Sequence, residues 1–355
     1  MSTLKVNTIN AATSGQAVAV DISNPRSFRN LIINGAMMVA QRGTSTSTNG
    51  GFCCDRFKCH FGGTDESPTF AQHTLTSSDT GPWAKGFRNS LHITNGNQTG
   101  GAGTSDEVDI YYMVEARDIV NSGWDYTSSS SYITLSWWVK SSVAQNFHGY
   151  LVSQDGTSQG LAFETGSISA NTWTKITKKI PGNSNLTFDD NNDGGLGINF
   201  GPFFGTNYTA ADATLDAWAA WNTNTTRRDN TSTWYTTNDA TFEITGVQLE
   251  VGEYATDFEH RSYGEEMDRC YRYYQSIAEL ATYVLRFDGI RQSRWWFKKT
   301  MRAAPTVAGN MDPDGAGVSG TFQTPQAGYV QLSFGATDST NRNPKATSCT
   351  ATAEF

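Results

Sequence analysis

TFEITGVQLEVGEYATDFEHRSYGEEMDRCYRYYQ, residues 241–275, is the stretch on which the reading of the fold turns. Phe242 and Ile244 alternate with polar neighbours, and Val247, Leu249 and Val251 do so one parity later. This is a β-strand whose side-chain period of two slips once. The slip falls at Thr245-Gly246, where a glycine can absorb a bulge. Ser262 then stands three residues before Glu265, the spacing of a capping box, which predicts a helix starting at Tyr263. Met267, Cys270, Tyr271 and Tyr274, at i, i+3, i+4 and i+7, give that helix one apolar face. A β-domain ends here, and a helix over 263–275 carries the chain onward.

Composition agrees with a β-rich chain. Charged residues make up 17% of the 355, and Thr, Ser, Asn and Gly dominate the polar positions, a balance that suits strands and turns over long helices. Ten Trp and 19 Phe are enough for an aromatic core, which argues against disorder throughout. The length allows one large β-domain with appendages or two domains. A net charge of −8 without a basic run argues against a nucleic-acid partner. No apolar stretch approaches the roughly 20 residues of a spanning helix, so membrane insertion is not expected. MSTLKVNTINAATSG lacks the apolar core of a secretory signal.

Catalytic motifs are missing. There is no G-x-S-x-G, H-E-x-x-H, phosphate loop or dinucleotide fingerprint. The five histidines (60, 73, 92, 148 and 260) show no metal spacing. Adjacent carboxylates such as Asp65/Glu66, Asp189/Asp190 and Glu265/Glu266 cannot flank a glycosidic bond, although a pair distant in sequence could. Cys53, Cys54, Cys59, Cys270 and Cys349 are odd in number and scattered, so reduced, buried thiols are expected over disulfides. Cys53-Cys54 with Cys59-His60 matches no standard zinc spacing. Asp55-Arg56 reads as an ion pair or turn anchor rather than catalytic machinery.

Short strand-like runs fill residues 58–180. The clearest is Tyr132–Lys140, with Ile133, Leu135, Trp137 and Val139 on one face and Thr134, Ser136, Trp138 and Lys140 on the other. Trp138 is either an outward aromatic able to stack on a sugar or a side chain covered by another strand or subunit. Trp218, Trp221 and Trp234 lie in an Asn/Thr-rich region and form the other candidate carbohydrate contacts, or else plug one end of the fold. Residues 183–240 look irregular. Within them Asp189, Asn191, Asp193 and Gly194 follow D-x-N-x-D-G, a pattern that can wrap calcium, but the twelfth position is Phe200 rather than a bidentate Glu. An EF-hand is excluded, and a solvated Asn/Asp/Gly turn is favoured over another kind of calcium loop. No cofactor is otherwise expected.

Several segments carry a family resemblance. VQLEVGEYATDFEHRSYGEEMDRCYRYYQ (247–275) resembles the closing part of a jelly-roll domain in bacteriophage fibre proteins, especially those of marine, cyanophage-like viruses. NGAMMVAQRG (34–43) followed by Asp55-Arg56-Phe57 is similar to the start of that domain, and TLSWWVKSS (134–142) and ANTWTKITKKIPG (170–182) to its recurring strands. WWFKKTMRAAPTVAG (295–309) resembles a motif that follows it, and STLKVNTI (2–9) the opening of some tail-fibre proteins. The resemblance implies an all-β antiparallel jelly-roll sandwich over 30–262, similar to carbohydrate-binding modules. It is preceded by a virion-attachment segment (1–29) that docks on other virion proteins. The helix (263–275) and a small C-terminal β-domain (276–355), docked against two other copies as a homotrimer, follow. The implied function is a non-enzymatic tail or capsid fibre, made in the host cytoplasm and carried on the virion, that contacts a host surface polysaccharide. The alternatives are a structural or decorating virion protein and a glycan-depolymerising tailspike.

Overall fold

The computed structural model describes residues 29–224, 226–281, 289–312, 318–336 and 344–355. The expected attachment segment (1–29) lies, but for Arg29, outside them. Two six-stranded sheets pack face to face as an antiparallel jelly-roll sandwich. The first runs, edge to edge, Ser45–Thr46, Thr69–Thr74, Asn89–Thr94, Thr241–Val251, Tyr132–Ser141 and Thr174–Pro181. The second runs Trp218–Ala220, Gln159–Ser167, Asn146–Ser153, Gly194–Phe204, Glu107–Glu115 and Lys58–Gly62. The inner faces interlock through aromatic rings: Trp137 of the first sheet meets Phe163 and Phe200 of the second at centroid distances of 5.4 and 5.2 Å. Ile133, Leu135 and Val139 are fully buried beside it, as the alternation requires.

Strand Thr241–Val251 carries the expected bulge. Its register against Tyr132–Ser141 breaks between Thr245 and Gln248, and Gly246 there adopts φ +63°. A β-carbon on Gly246 would lie 2.6 Å from the Phe87 ring, so only glycine satisfies both the backbone and the packing. Asn89–Thr94 pairs with the strand only as far as Ile244. Beyond the bulge, residues 31–35 take over its edge, with Leu31 N–H donating to Leu249 O and Val247 N–H to Gly35 O, both at 2.9 Å. Asn34, at φ +62°, turns this segment, accepting from Val39 N–H and donating to the Val39 and Asp55 carbonyls.

The capping box forms as read: Ser262 Oγ accepts from Glu265 N–H, and the Glu265 carboxylate accepts from Ser262 N–H. The helix, however, spans Tyr263–Cys270 and not 263–275. Tyr274 already belongs to strand Tyr274–Ala281, because pairing with Lys345–Thr352 captures the aromatic run. Short helices also occur at Ala116–Val120 and Thr233–Thr236. The strand-like runs expected over 58–180 include the strands Asn89–Thr94 and Glu107–Glu115, and residues 170–182 hold the strand Thr174–Pro181. Residues 183–240 are more regular than expected, since they contain the 11-residue strand Gly194–Phe204.

The C-terminal unit consists of two three-stranded sheets around Trp295, Met301, Val330, Leu332, Phe334 and Cys349. It is fastened to the sandwich through arginines. Arg56, 2% exposed in its side chain, pairs with Glu354, donates to Met113 O at 2.6 Å and lies 3.4 Å over the Tyr273 ring. Glu354 also takes Arg42 at 2.7 Å. Arg272 grips Glu115 with two hydrogen bonds of 2.7 and 2.8 Å, and Arg302 joins Asn192 O to the Ala353 and Glu354 carbonyls. Asp55 and Arg56 are thus anchors with separate partners, Asp55 capping Gln41 N–H at 3.0 Å. The small unit thus gains burial from the sandwich of the same chain.

Replacing Glu354 by Gln keeps the shape but leaves Arg56 buried without a counter-charge. We expect a loss of about 3–5 kcal/mol in denaturant unfolding. A loss below about 1 kcal/mol would mean that the Met113 carbonyl and the rings suffice.

Candidate functional site

Clefts open on the outer faces of both sheets. On the second sheet, backbone register sets a row across four strands: Lys58 opposite Tyr111, Tyr111 opposite Asn199, and Asn199 opposite Tyr150. The next row brings His60 opposite Asp109. Residues opposite one another project to the same face, so these side chains share one floor. Gly197 lies beneath Tyr111, whose hydroxyl would be 2.4 Å from a β-carbon there. The result is a cleft of about 240 Å³, closed on one side by Tyr208, Thr223 and Arg227 from the segment that follows strand Gly194–Phe204.

Arg227 organises that wall. Its guanidinium sits 4.3 Å over the Tyr150 ring, donates to Tyr150 Oη at 3.1 Å and to Thr223 O at 3.0 Å, and lies within 5.7 Å of the Tyr208 and Trp221 rings. Trp221 packs 5.1 Å from Tyr150. Burial pushes the Tyr150 hydroxyl up to about 12 and raises Tyr111 too, so both phenols stay protonated near neutrality. Across the floor, Asn199 Nδ2 donates to Asp109 Oδ1 at 2.6 Å, and His60 Nδ1 lies 3.0 Å from Asp109 Oδ2 and 3.8 Å from Glu107 Oε1. The hydrogen bond to Asp109 raises the His60 pKa, and burial raises that of Glu107. Aromatic faces beside amide, phenol and carboxylate groups suit a ligand with both C–H faces and hydroxyls. Glu107 and Asp109 sit two residues apart on one strand face with His60 beside both.

The first sheet carries a cleft of about 300 Å³ lined by Phe87, Trp138, Lys175, Gly246, Phe258 and His260 among others. Trp138 is half-buried here, with the Gly81 backbone against its ring. Beside it, Glu243 is buried on the outer face among Lys140 Nζ at 2.9 Å, His73 Nδ1 at 3.2 Å and His92 Nδ1 at 3.3 Å.

The four candidate tryptophans do not form one surface. Trp138 lies on the first sheet, whereas Trp221 lies in the segment that packs on Tyr150 of the second. Trp218 donates to Pro181 O at 2.7 Å and packs against the core from an edge strand. Trp234 is corrected from a contact residue to a core residue: it is 0% exposed and donates to Thr241 O, so no ring face remains for a ligand. In the D-x-N-x-D-G stretch, Asn191 Oδ1 accepts from Asp193 N–H, Asp189 N–H bonds Asp155, and Asp193 lies 3.9 Å from Arg302. The first of these is the contact of an Asx turn. Among the described residues, three His, Cys, Asp or Glu ligand atoms converge within 4.8 Å at His60/Glu107/Asp109 and at His73/His92/Glu243. The histidines without metal spacing in sequence therefore meet carboxylates in space. All five cysteines are free and buried. Also among the described residues, no helix is long and apolar enough to cross a membrane.

No protein-family model matches the sequence, and no curated protein matches it significantly. Solved structures with a similar chain course include the enzymatically active domain of a tailspike protein from bacteriophage CBA120 (10% identity, TM-score 0.32). That match covers 63% of this chain and 22% of the tailspike chain. A sugar-binding protein from Bacteroides thetaiotaomicron, so described provisionally, is 12% identical at TM-score 0.33, covering 63% of this chain and 100% of its own. An N-terminal cellulose-binding domain of a Cellulomonas fimi glucanase is 10% identical at TM-score 0.28, covering 60% and 97%.

The Glu243 cluster generates a pH prediction. Burial alone would raise this carboxyl, but His92 and Lys140 outweigh it and hold the pKa at about 2, against an ordinary 4.5. A depressed carboxylate contributes stability that is present above 4.5 and lost as pH falls towards 2. Acid unfolding of the wild type should show a loss on the order of 3 kcal/mol over that window, and Glu243→Gln should flatten it. An unchanged acid limb in the variant would remove Glu243 as the cause.

Proposed function

We propose that the protein is a non-enzymatic glycan-binding appendage whose second-sheet cleft contacts a surface polysaccharide. The observation that carries this reading is the Tyr111–Asn199–Tyr150 row, walled by Tyr208 and Arg227: aromatic faces and hydroxyl-matching polar groups share one trough on a rigid sheet. The resemblance of 34–57, 134–182 and 247–275 to phage-fibre jelly rolls supports placing that trough on a virion fibre that meets a host cell.

Affinity electrophoresis through bacterial surface polysaccharides tests the cleft. The wild type should be retarded by at least one of them. Tyr208→Ala, at a half-buried loop position, should weaken binding about tenfold, near 1.4 kcal/mol, while Trp138→Ala on the opposite sheet should not. Loss in Trp138→Ala alone would move the site to the first-sheet cleft, and no retardation by any polysaccharide would refute the reading. New reducing ends during incubation would overturn its non-enzymatic part. Light scattering should give a mass of three chains if the fibre reading holds; a stable monomer would remove the trimer, whose support is the fibre resemblance.

A further inference from the structure

We propose that His60, Glu107 and Asp109 form a site for a divalent cation of the zinc type at the floor of the second-sheet cleft. This goes beyond the glycan reading and does not depend on it. The three side chains come from neighbouring strands, Lys58–Gly62 and Glu107–Glu115, whose register places His60 directly opposite Asp109. Glu107 projects from the same face two residues earlier. One ligand atom from each lies within 4.8 Å of the other two, a triangle that a cation bound at about 2.0–2.2 Å closes by small side-chain rotations.

A second observation points to the same place. Asn199 is 1% exposed and reaches into the cluster through its Nδ2 bond to Asp109, yet its carbonyl Oδ1 has no hydrogen-bond partner. A buried amide oxygen left unsatisfied on a side chain that bonds Asp109 is what a positive ligand at the cluster would explain. The cationic side chains around the cleft do not fill the position. Arg227 is committed to Tyr150 Oη and Thr223 O, and Lys58 extends towards Gly50, its Cε 3.7 Å from a β-carbon built there. The His73/His92/Glu243 cluster differs on this point, because Lys140 Nζ already lies 2.9 Å from Glu243.

The donor set selects the ion. One imidazole nitrogen with two carboxylates suits zinc, whereas calcium would seek six to eight oxygens. Three protein ligands leave a fourth position, and here it faces the cleft, the arrangement of zinc sites that bind an exogenous ligand.

Calorimetric titration of chelator-treated, full-length protein with Zn²⁺ tests the site without any polysaccharide present, so its result is independent of the glycan reading. We expect one equivalent bound, with affinity at least tenfold weaker in His60→Ala and in Asp109→Asn. His73→Ala, in the other cluster, should bind as the wild type does. His60 lies on an edge strand and is partly exposed, so its removal should leave the fold intact, as circular dichroism would verify. Absence of binding by the wild type, or binding undiminished in both His60→Ala and Asp109→Asn, would overturn the proposal.

Discussion

The close approach of two backbones at Gly246 and Gly35 constrains the rest of the sandwich. Strand Thr241–Val251 must pair along its whole length with Tyr132–Ser141 while changing partners on its other edge, from Asn89–Thr94 to residues 31–35. The change is possible because the bulge rotates the strand and because a β-carbon on Gly35, which would fall 2.1 Å from Val247 O, is absent. With both edges filled, Phe242, Ile244, Val247 and Leu249 all face the core despite the slip in parity. A strict alternation would have turned half of them to solvent.

The same bulge separates the two outer faces in character. Gly246 forms part of the first-sheet cleft, where Phe87 and Phe258 pack edge to face at 4.8 Å beside Trp138, His260, Lys85 and Lys175. The second sheet presents amides, phenols and carboxylates on its outer face, with glycines 197 and 201 removing bulk from its central strand. The inner rows of this sheet, where Phe163 and Phe200 flank Trp137 of the first, hold the layers together and leave its outer rows to polar side chains.

Much of the fold was legible in the sequence because local chemistry wrote it. The bulge, the capping box and the alternation of Tyr132–Ser141 each rest on residues close together in the chain. Strand Gly194–Phe204 was hidden because glycines at 194, 195, 197 and 201 and Pro202 erase its alternation, although it lies between Asn146–Ser153 and Glu107–Glu115. The helix end was misplaced because Tyr271 and Tyr274 continue the helical spacing of Met267 and Cys270, while Tyr274 also opens the strand Tyr274–Ala281. The candidate site was the least legible part. Tyr111, Tyr150, Asn199 and Tyr208 carry no motif, and only strand order brings them together. Tryptophans gave a poor signal, since Trp234 satisfies its indole inside the core. His60 and Asp109, 49 residues apart, could be joined only by knowing that their strands are neighbours.

The arginine clamp has a consequence in time. Arg56 and Glu354 are separated by 298 positions, so on a ribosome adding about 5–20 residues per second the guanidinium waits roughly 15–60 s for its carboxylate. During that interval the sandwich can collapse around Trp137, but Tyr273 and Glu354 have not yet arrived to cover Arg56. The nascent domain therefore passes through a stage that is compact yet unsealed at one edge. Its final locking is coupled to synthesis of the small unit and not to formation of its own core.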